Sequence, residues 1–334
     1  MENFWEKLPK PLFVQAPMED VTDAAFRRLI ARYGKPSVMF TEFTSADGLV
    51  LAPEEGKTKL LRKLLFSDTE RPIVAQLFTA SPEHMETAAR MAAELGFDGF
   101  DINMGCPDKA VEKSGCGAAL IKNPALAREL IRAAKRGGCR CASQTCTSGR
   151  CLPVSVKTRI GYNSDELNTW LPELLAEEPA AITIHARTRK EMSDVPARWD
   201  TVARAVQLRD SLGSKTLILG NGDVKDVADA RAKVAETKCD GVMLGRAIYG
   251  NPWLFADRAE PPTREEKIKA LLEHLALFDE LLGTTTNYAT MKKHFKAYIS
   301  GWDGAKELRV RLMETETIAG AQAILTSDIL TAAS

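Results

Sequence analysis

Short apolar runs rich in Val, Ile and Leu recur between residues 12 and 246, and helical patterns separate most of them. Such runs are typical of parallel strands that are buried on both faces. The predicted strands are Leu12–Met18, Val38–Phe43, Pro72–Phe78, Gly99–Asn103, Pro153–Ile160, Ala181–Arg187, Thr216–Asp223 and Gly241–Arg246. Eight strands that alternate with helices favour an α/β fold of the (β/α)8 TIM-barrel type over the alternative, a doubly wound open sheet.

The segments between these strands carry apolar residues at helical spacing. Ser81 followed by Pro82 marks one helix start, and Gly96 marks the end of that helix. The predicted helices are Asp23–Tyr33, Ser81–Leu95, Pro124–Lys135, Asp165–Ala176, Thr201–Leu212 and Val224–Val234. The stretch after Gly48 has no clear period, and we expect a long, irregular connection there.

Pro261 and Pro262 mark a change in the pattern, because no convincing strand follows them. Lys267–Leu282 and Ala289–Ile299 instead have the period of amphipathic helices. We therefore expect a barrel domain over residues 1–260 and a small all-helical domain over residues 261–334.

Composition excludes several classes of protein. The chain has 45 Lys+Arg and 45 Asp+Glu, so a nucleic-acid site would have to be a local basic patch. No apolar run approaches the ~18 residues of a membrane span, and the first residues lack the apolar core of a secretory signal. Seven cysteines do not resemble a secreted disulfide framework, so we expect a soluble, cytoplasmic protein.

Four of the seven cysteines crowd into one short stretch: Cys139, Cys141, Cys146 and Cys151. Four thiolates can form a tetrahedral zinc site, which would be structural on this side of a barrel. Their spacing is not a common zinc-finger pattern. We favour the alternative, a mobile surface insertion with incidental thiols and no metal.

Polar side chains interrupt the predicted strands mainly near their carboxyl ends, which form the active face of a barrel. Together with Met18, the set comprises Gln15, Glu42, Gln76, Asn103, Lys157, Arg159, His185, Arg187, Asn221, Asp223 and Arg246. A single polar residue at a strand end is usually a loop anchor. A set that covers all eight strands indicates a functional site.

Glycine-rich turns follow the last two predicted strands, at Gly220–Asp223 and at Gly245–Arg246. Barrels often bind phosphate with the backbone N–H groups of these two loops. Glycine allows a close approach of the backbone, and Arg246 adds charge. The pair of turns predicts a phosphorylated cofactor.

Two further residues carry chemistry. Lys157 lies inside an apolar strand and needs a partner. That partner is either the flavin pyrimidine edge, which gains negative charge on reduction, or a carboxylate inside the barrel. Cys106 lies in a loop between Gly105 and Pro107 on the active face, where it is either a buried structural thiol or a proton donor or nucleophile.

Several motifs together resemble the tRNA-dihydrouridine synthase family. They span residues 12 to 260 in order, and the combination of Asn-x-Gly-Cys-Pro with Lys-Thr-Arg and His-Ala-Arg-Thr is highly specific. The matching segments are Gln15–Asp23, Thr41–Phe43, Gln76–Phe78, Asp101–Pro107, Gly117–Ala118, Val156–Gly161, Ile184–Arg189, Gly220–Asp223 and Gly245–Arg246.

The resemblance implies a bacterial-type FMN enzyme that reduces the C5–C6 bond of specific uridines in tRNA, with NADPH as electron donor. It implies that Cys106 is the general acid. The cofactor residues would be Ala16, Pro17, Met18, Gln76, Lys157, His185, Asn221, Gly222, Asp223, Gly245 and Arg246. The substrate residues would be Asn103, Arg159, Arg187, Lys292, Lys293 and Lys296.

The sequence departs from the family pattern in three places. The loop Arg189–Pro196 lacks the usual glycine-containing turn, the stretch Gly137–Cys151 is longer than usual, and the C-terminal region matches only loosely. The family grips tRNA with that region. Here Thr284–Arg311 contains six Lys or Arg and two acidic residues, a local patch of +4, although such a run is often only a solvated helix face.

Two other functions compete with this interpretation. One is an FMN barrel that acts on a free pyrimidine, as dihydroorotate-type enzymes do. The other is a tRNA-binding protein that has lost its activity. The basic helical region argues against the first, and the presence of Cys106, Lys157 and His185 argues against the second. We expect a monomer with no membrane association.

Overall fold

Residues 3–139, 151–256 and 258–332 are described from a computed structural model of the chain. The strands are β1 Leu12–Gln15, β2 Met39–Phe40, β3 Thr44–Ser45, β4 Ile73–Phe78, β5 Gly99–Met104, β6 Val154–Arg159, β7 Ala181–His185, β8 Leu217–Asn221 and β9 Gly241–Leu244. All of them pair in parallel, in the order β1-β9-β8-β7-β6-β5-β4-β2, and the short β3 also pairs with β4. The eight predicted strands are confirmed.

The barrel closes between β1 and β2. Val14 and Val38 form a parallel bridge, and the Gln15 N–H donates to the Val38 carbonyl at 3.1 Å. The Gln15 side chain adds a contact, because its Oε1 accepts from the Phe40 N–H at 3.1 Å. Closure decides between the two predicted architectures: the chain forms a (β/α)8 barrel and not an open sheet.

The helices are α1 Phe4–Lys7, α2 Ala24–Tyr33, α3 Ala46–Leu51, α4 Glu54–Lys63, α5 Pro82–Leu95, α6 Lys109–Lys113, α7 Pro124–Gly138, α8 Leu167–Leu175, α9 Trp199–Ser211, α10 Val227–Thr237, α11 Arg264–Leu282, α12 Ala289–Tyr298, α13 Ala305–Met313 and α14 Ile318–Ala332. The predicted caps of α5 are confirmed. The Ser81 hydroxyl accepts from the His84 N–H, and Gly96 ends the helix in the left-handed region.

The expectation of an irregular connection after Gly48 is wrong. Two helices, α3 and α4, occupy this stretch. The pattern is hidden because Gly48 lies inside α3, where a side chain would meet Leu60, and because α4 lies on the surface with no fully buried residue. A helix that buries little gives a weak apolar period.

The barrel interior is divided into an apolar half and a polar half. Strand alternation directs Leu12, Val14, Val74, Leu219 and similar side chains inward near the amino ends of the strands. Trp5 of α1, only 1% exposed, packs into the same cluster. The inward residues nearer the carboxyl ends are polar, and they form the site described below.

Helices α11 to α14 follow the barrel. α11 packs on α2, where the Phe26 and His274 rings stack at 4.9 Å, and both helices belong to one buried core. The domain boundary near residue 260 falls between the end of β9 and the start of α11, and the division into two domains remains a prediction. None of the described helices is long and apolar enough to cross a membrane.

Candidate active site

A cavity of about 260 Å³ opens at the carboxyl ends of the strands. Its lining includes every predicted cofactor residue except Gln76, which lies apart from it in the barrel interior. The lining residues are Ala16, Pro17, Met18, Lys157, His185, Arg187, Ser193, Asn221, Gly222, Asp223, Val224, Met243, Gly245 and Arg246. The register of β6 to β9 and β1 brings these side chains together around one opening.

Lys157 is the cation at the base of this cavity. Burial and the neighbouring Arg159 lower its pKa to about 8, whereas Asp101 opposes the shift. Among the described residues, no hydrogen bond or ion pair holds its ammonium group. Lys157 is half-buried, and an ammonium that is partly withdrawn from water without a partner is costly, so the site favours an anionic or polar ligand at this point. Among the described residues, the structure shows no carboxylate in direct contact with the Lys157 ammonium, so the alternative of an ion pair inside the barrel is not confirmed.

The turn after β8 is shaped for close approach of the backbone. Gly222 has φ +130°, and a Cβ on Gly220 would lie 2.2 Å from the Trp199 ring. The Trp199 indole N–H donates to the Gly222 carbonyl at 3.0 Å and so fixes the turn from below. In the part of the chain that the structure describes, the N–H groups of Gly222, Asp223 and Gly245 donate to no protein acceptor.

Two arginines share the carboxylate of Asp223. Arg187 is 3% exposed and pairs with Oδ2, whereas Arg246 is 67% exposed and donates to Oδ1 at 2.7 Å. Burial alone would raise the pKa of Asp223, but hydrogen bonds from Arg187 and from the Ala197 N–H lower it. The carboxylate is therefore ionised, and it holds the exposed guanidinium of Arg246 beside the glycine turns.

His185 is a neutral imidazole. Burial and the cations Lys157 and Arg159 lower its pKa well below the ordinary value. Arg187 Nη1 lies 3.2 Å from Nε2. A guanidinium only donates, so Nε2 accepts and the ring proton lies on Nδ1.

The main chain of half-buried Cys106 is fixed from both sides. Its N–H donates to Asn103 Oδ1 at 2.9 Å, and its carbonyl accepts from the Ala118 N–H at 3.0 Å. Gly117 is required there, because a Cβ would lie 2.7 Å from the Cys106 carbonyl oxygen. Burial raises the pKa of the thiol, whereas a hydrogen bond from the Asp108 N–H and the nearby Lys157 act in the opposite direction. Cys106 therefore keeps its proton at neutral pH.

The three predicted substrate residues of the barrel make contacts within the protein. Asn103 holds the Cys106 loop. Arg159 donates to the carbonyls of Gly105, Thr188 and Met192 at 2.8, 3.0 and 2.9 Å. Arg187 donates to the Val195 carbonyl at 2.5 Å. The two arginines thus tie the loop after β7 to the Cys106 loop and to Asp223, and their substrate roles remain predictions.

The predicted lysines of the helical region lie on α12. Lys292 donates to the Met313 carbonyl at 2.8 Å, and Lys293 lies 3.7 Å from Asp20 in the loop after β1. Lys296 is exposed and has no hydrogen bond or ion pair among the described residues. These lysines do not join the cavity, and a role in binding RNA remains a prediction.

Glu42 follows β2 but belongs to a second cavity, of about 290 Å³, that lies between the barrel and the segment Leu282–Thr290. Burial and the neighbouring Asp23 raise its pKa to about 7. The carboxylate accepts from the Asp20 N–H at 2.6 Å. Glu42 therefore supports the loop that carries Met18 and is not part of the main cavity.

The two cysteines of the cluster that the structure describes lie on the opposite side of the barrel, between the end of α7 and the start of β6. Cys139 and Cys151 are joined by a disulfide, with a Cα–Cα distance of 4.0 Å. Cys141 and Cys146 lie outside the described residues. Bonded sulfurs have no thiolate for a metal, so the alternative of a four-cysteine zinc site applies only to the reduced protein, and the absence of a metal there stays a prediction.

Sequence reasoning overlooked two supporting residues. Trp199 gave no signal, because its contact with the turn after β8 depends on how α9 packs. Asp101 could have been found: it alternates with Asn103 in an apolar strand, which places both side chains inside the barrel. Asp101 is 1% exposed.

The fold and the cavity together define a class: a (β/α)8 barrel that presents free N–H groups, two arginines and a half-buried lysine at its carboxyl face. The chain belongs to the dihydrouridine synthase (Dus) family, whose model matches residues 14–334. It is 41% identical to a probable tRNA-dihydrouridine synthase 2 of Bacillus subtilis (strain 168), over 97% of this chain and 96% of that protein. It is 40% identical to a probable tRNA-dihydrouridine synthase of Staphylococcus aureus (strain COL), over 97% and 95%.

Solved structures show the same barrel in distant proteins. Histamine dehydrogenase from Rhizobium sp. 4-9 matches with a TM-score of 0.52 and 14% identity, over 79% of this chain and 48% of that chain. An old yellow enzyme homologue from Zymomonas mobilis matches with a TM-score of 0.50 and 13% identity, over 76% and 90%. At these identities the likeness concerns the fold alone.

Proposed function

We propose that this protein is a tRNA-dihydrouridine synthase: it binds FMN and uses NADPH to reduce the C5–C6 bond of particular uridines in tRNA. Family membership and the two relatives named above support the reaction. The observation that supports it most in this chain is that the Cys106 thiol keeps its proton and lies near enough to Lys157, which lines a cavity suited to a flavin, for each to influence the pKa of the other. The proposal includes a monomeric enzyme that acts in the cytoplasm.

The donor set of the cavity fits FMN. Free N–H groups of the two glycine turns and the guanidinium of Arg246 would hold the phosphate. The ammonium of Lys157, which has no described partner, would face the pyrimidine edge of the ring. Ala16 to Met18, His185 and Asn221 would complete the contacts. Gln76, deep in the barrel, would act from behind them.

FMN held in this cavity would supply hydride chemistry for C6 of the uracil, with NADPH as the source of electrons. Saturation of the double bond also requires a proton at C5, and the Cys106 thiol provides it. Burial keeps this thiol protonated at neutral pH, as a general acid must be. Solvent restores the proton after each turnover. Arg159 and Asn103 hold the loop that carries the thiol.

The substrate is a base inside a folded RNA, so the uridine must leave its stack to enter the cavity. Lys296 and its neighbours on α12 would contact tRNA phosphates, as the local charge of the helical region suggests. The loop Arg189–Pro196, which is held by Arg159 and Arg187, would contact the RNA around the target uridine.

The test is an assay of NADPH oxidation by purified flavin-loaded protein with three substrates. Unmodified tRNA should support turnover and gain two mass units per reduced uridine. Free uridine and orotate should not support it. Turnover of a free pyrimidine but not of tRNA would favour the dihydroorotate-type alternative. RNA binding without flavin would favour a tRNA-binding protein that has lost its activity.

A further inference from the structure

A continuous chain of hydrogen bonds runs through the polar half of the barrel interior to the Cys106 loop. Gln76 Nε2 donates to Asp101 Oδ2 at 2.7 Å, and Asn103 Nδ2 donates to Gln76 Oε1 at 3.1 Å. Asn103 Oδ1 then accepts from the N–H groups of Gly105 and Cys106, at 3.1 and 2.9 Å. We name Asp101, Gln76 and Asn103 the interior relay. Their side chains are at most 6% exposed.

The carboxylate at one end of the interior relay and the two loop N–H groups at the other end require the same orientation of both amides. A carboxylate only accepts, so Gln76 must turn its NH2 group toward Asp101. Its carbonyl oxygen then faces Asn103, which must donate in turn. Asn103 is left with its oxygen toward the two N–H groups of the loop. Reversing either amide would place a donor against a donor.

We propose that Asp101 is a positioning residue for uridine reduction: it fixes the two amides of the interior relay and, through them, the loop that carries the Cys106 thiol. The consequence for catalysis rests on the proposed function. The consequence for the loop does not, because it follows from the hydrogen bonds alone.

Burial of the Asp101 carboxylate costs free energy. This cost argues that Asp101 has a specific role and is not simply a packing residue. Burial raises its pKa to about 6, against the hydrogen bonds from Ser155 and Gln76 and the nearby Lys157. It therefore remains ionised at neutral pH. The inward positions Val74 of the neighbouring β4, Leu219 of β8 and Met243 of β9 are apolar, so strand pairing itself does not need a carboxylate.

Two substitutions of Asp101 separate its hydrogen-bonding role from its charge. Asp101→Ala removes the acceptor and frees the Gln76 amide. Asp101→Asn can keep its oxygen toward Gln76 if its NH2 group turns toward Ser155. The Ser155 hydroxyl, which now donates to Asp101 Oδ1 at 2.5 Å, can then donate to the Phe100 carbonyl at 3.4 Å. Ser155→Ala is the matched control, because it disturbs the same buried carboxylate but leaves the interior relay intact.

The first readout is amide hydrogen exchange of the peptide that contains Gly105 and Cys106, measured on flavin-loaded protein without RNA. Loss of one hydrogen-bond constraint corresponds to about five- to tenfold faster exchange, and we expect this in Asp101→Ala. Asp101→Asn and Ser155→Ala should stay within about twofold of wild type. Unchanged exchange in Asp101→Ala, or equal acceleration in Ser155→Ala, would overturn the proposal.

The second readout is kinetic. In Asp101→Ala we expect kcat for uridine reduction to fall about tenfold, with flavin reduction by NADPH unchanged. An equal loss in both half-reactions would contradict a role at the Cys106 loop. If Asp101→Ala does not fold, Gln76→Met replaces it: this variant removes the middle of the interior relay, keeps the carboxylate, and should show the same acceleration. If wild type reduces no uridine, the exchange result still decides the structural claim.

Discussion

The fold holds the charged residues of two regions differently. One region is the barrel rim, which we define as the lining of the main cavity with Lys157, Asp223 and Arg246. The other is the basic face of α12, which carries Lys292, Lys293 and Lys296. At the rim, strand register fixes Lys157, Asp223 and Arg246 around one cavity. On α12, Lys292 and Lys293 already contact the protein, and only Lys296 is free among the described residues. Convergent charges in a cavity indicate a ligand site, whereas charges along a helix face have several explanations.

The largest expected effect concerns the acid at the rim. Cys106→Ala should slow uridine reduction by ~10²-fold or more, because general-acid catalysis is lost. Flavin binding and flavin reduction by NADPH should be unchanged. Stopped-flow measurement of the two half-reactions checks this. The control is Cys116→Ala, since Cys116 is fully buried beside Ser114, whereas Cys106 lies near enough to Lys157 of the cavity to influence its pKa. Equal losses in both variants would reassign the acid.

The second prediction concerns pH and the cation of the rim. The Lys157 ammonium loses its proton as pH rises through about 8. FMN affinity should therefore fall above that pH, by up to about tenfold per unit if the charge is essential. Lys157→Met should bind FMN weakly at every pH and lack this dependence. Fluorescence titration of FMN across pH 6 to 10 measures both.

Unfolding of the protein would not explain a loss of FMN affinity above pH 8. The pKa of Lys157 lies below the ordinary 10.5, so between about 8 and 10.5 the folded state binds fewer protons than the unfolded chain. This lysine therefore favours folding as pH rises. A melting temperature of the flavin-free protein that falls over the same pH range would contradict the assignment, because FMN release cannot lower it there.

The barrel was largely predictable because each buried strand leaves an apolar run. The rim was predictable because polar residues end those runs. The contacts beneath the rim were not predictable from the sequence. Asp101 reaches Gln76 and Ser155 on neighbouring strands, and Trp199 reaches Gly222 from α9. Such contacts depend on register and packing, which a single sequence does not encode as a local pattern.

The third prediction concerns the exposed arginine of the rim. Arg246→Ala should weaken FMN binding by about tenfold, because a charge-assisted hydrogen bond to phosphate is lost. Lys225→Ala is the matched control: it removes an exposed cation from the loop after β8, next to the glycine turn, that does not line the cavity. If both variants bind FMN like wild type, the glycine turns would not hold the phosphate.

The smallest expected effect concerns the basic face of α12 and tests whether its lysines contact tRNA. Lys296→Ala should reduce the slope of log affinity for tRNA against log salt by at most about 0.9, the value of one phosphate contact. Lys292→Ala should change it less, since Lys292 already donates to the Met313 carbonyl. Parallel lines for wild type and both variants would show that α12 presents only a solvated face. The helical region itself should stay in place, because α11 shares its core with α2.

The most direct test of the central claim is mass spectrometry of tRNA from a strain that lacks this gene. We predict that uridines missing their reduction in the deletion strain regain it when the wild-type gene is restored, and not when the Cys106→Ala gene is restored. If the wild-type gene restores no dihydrouridine, or if Cys106→Ala restores it fully, the account of this site is contradicted.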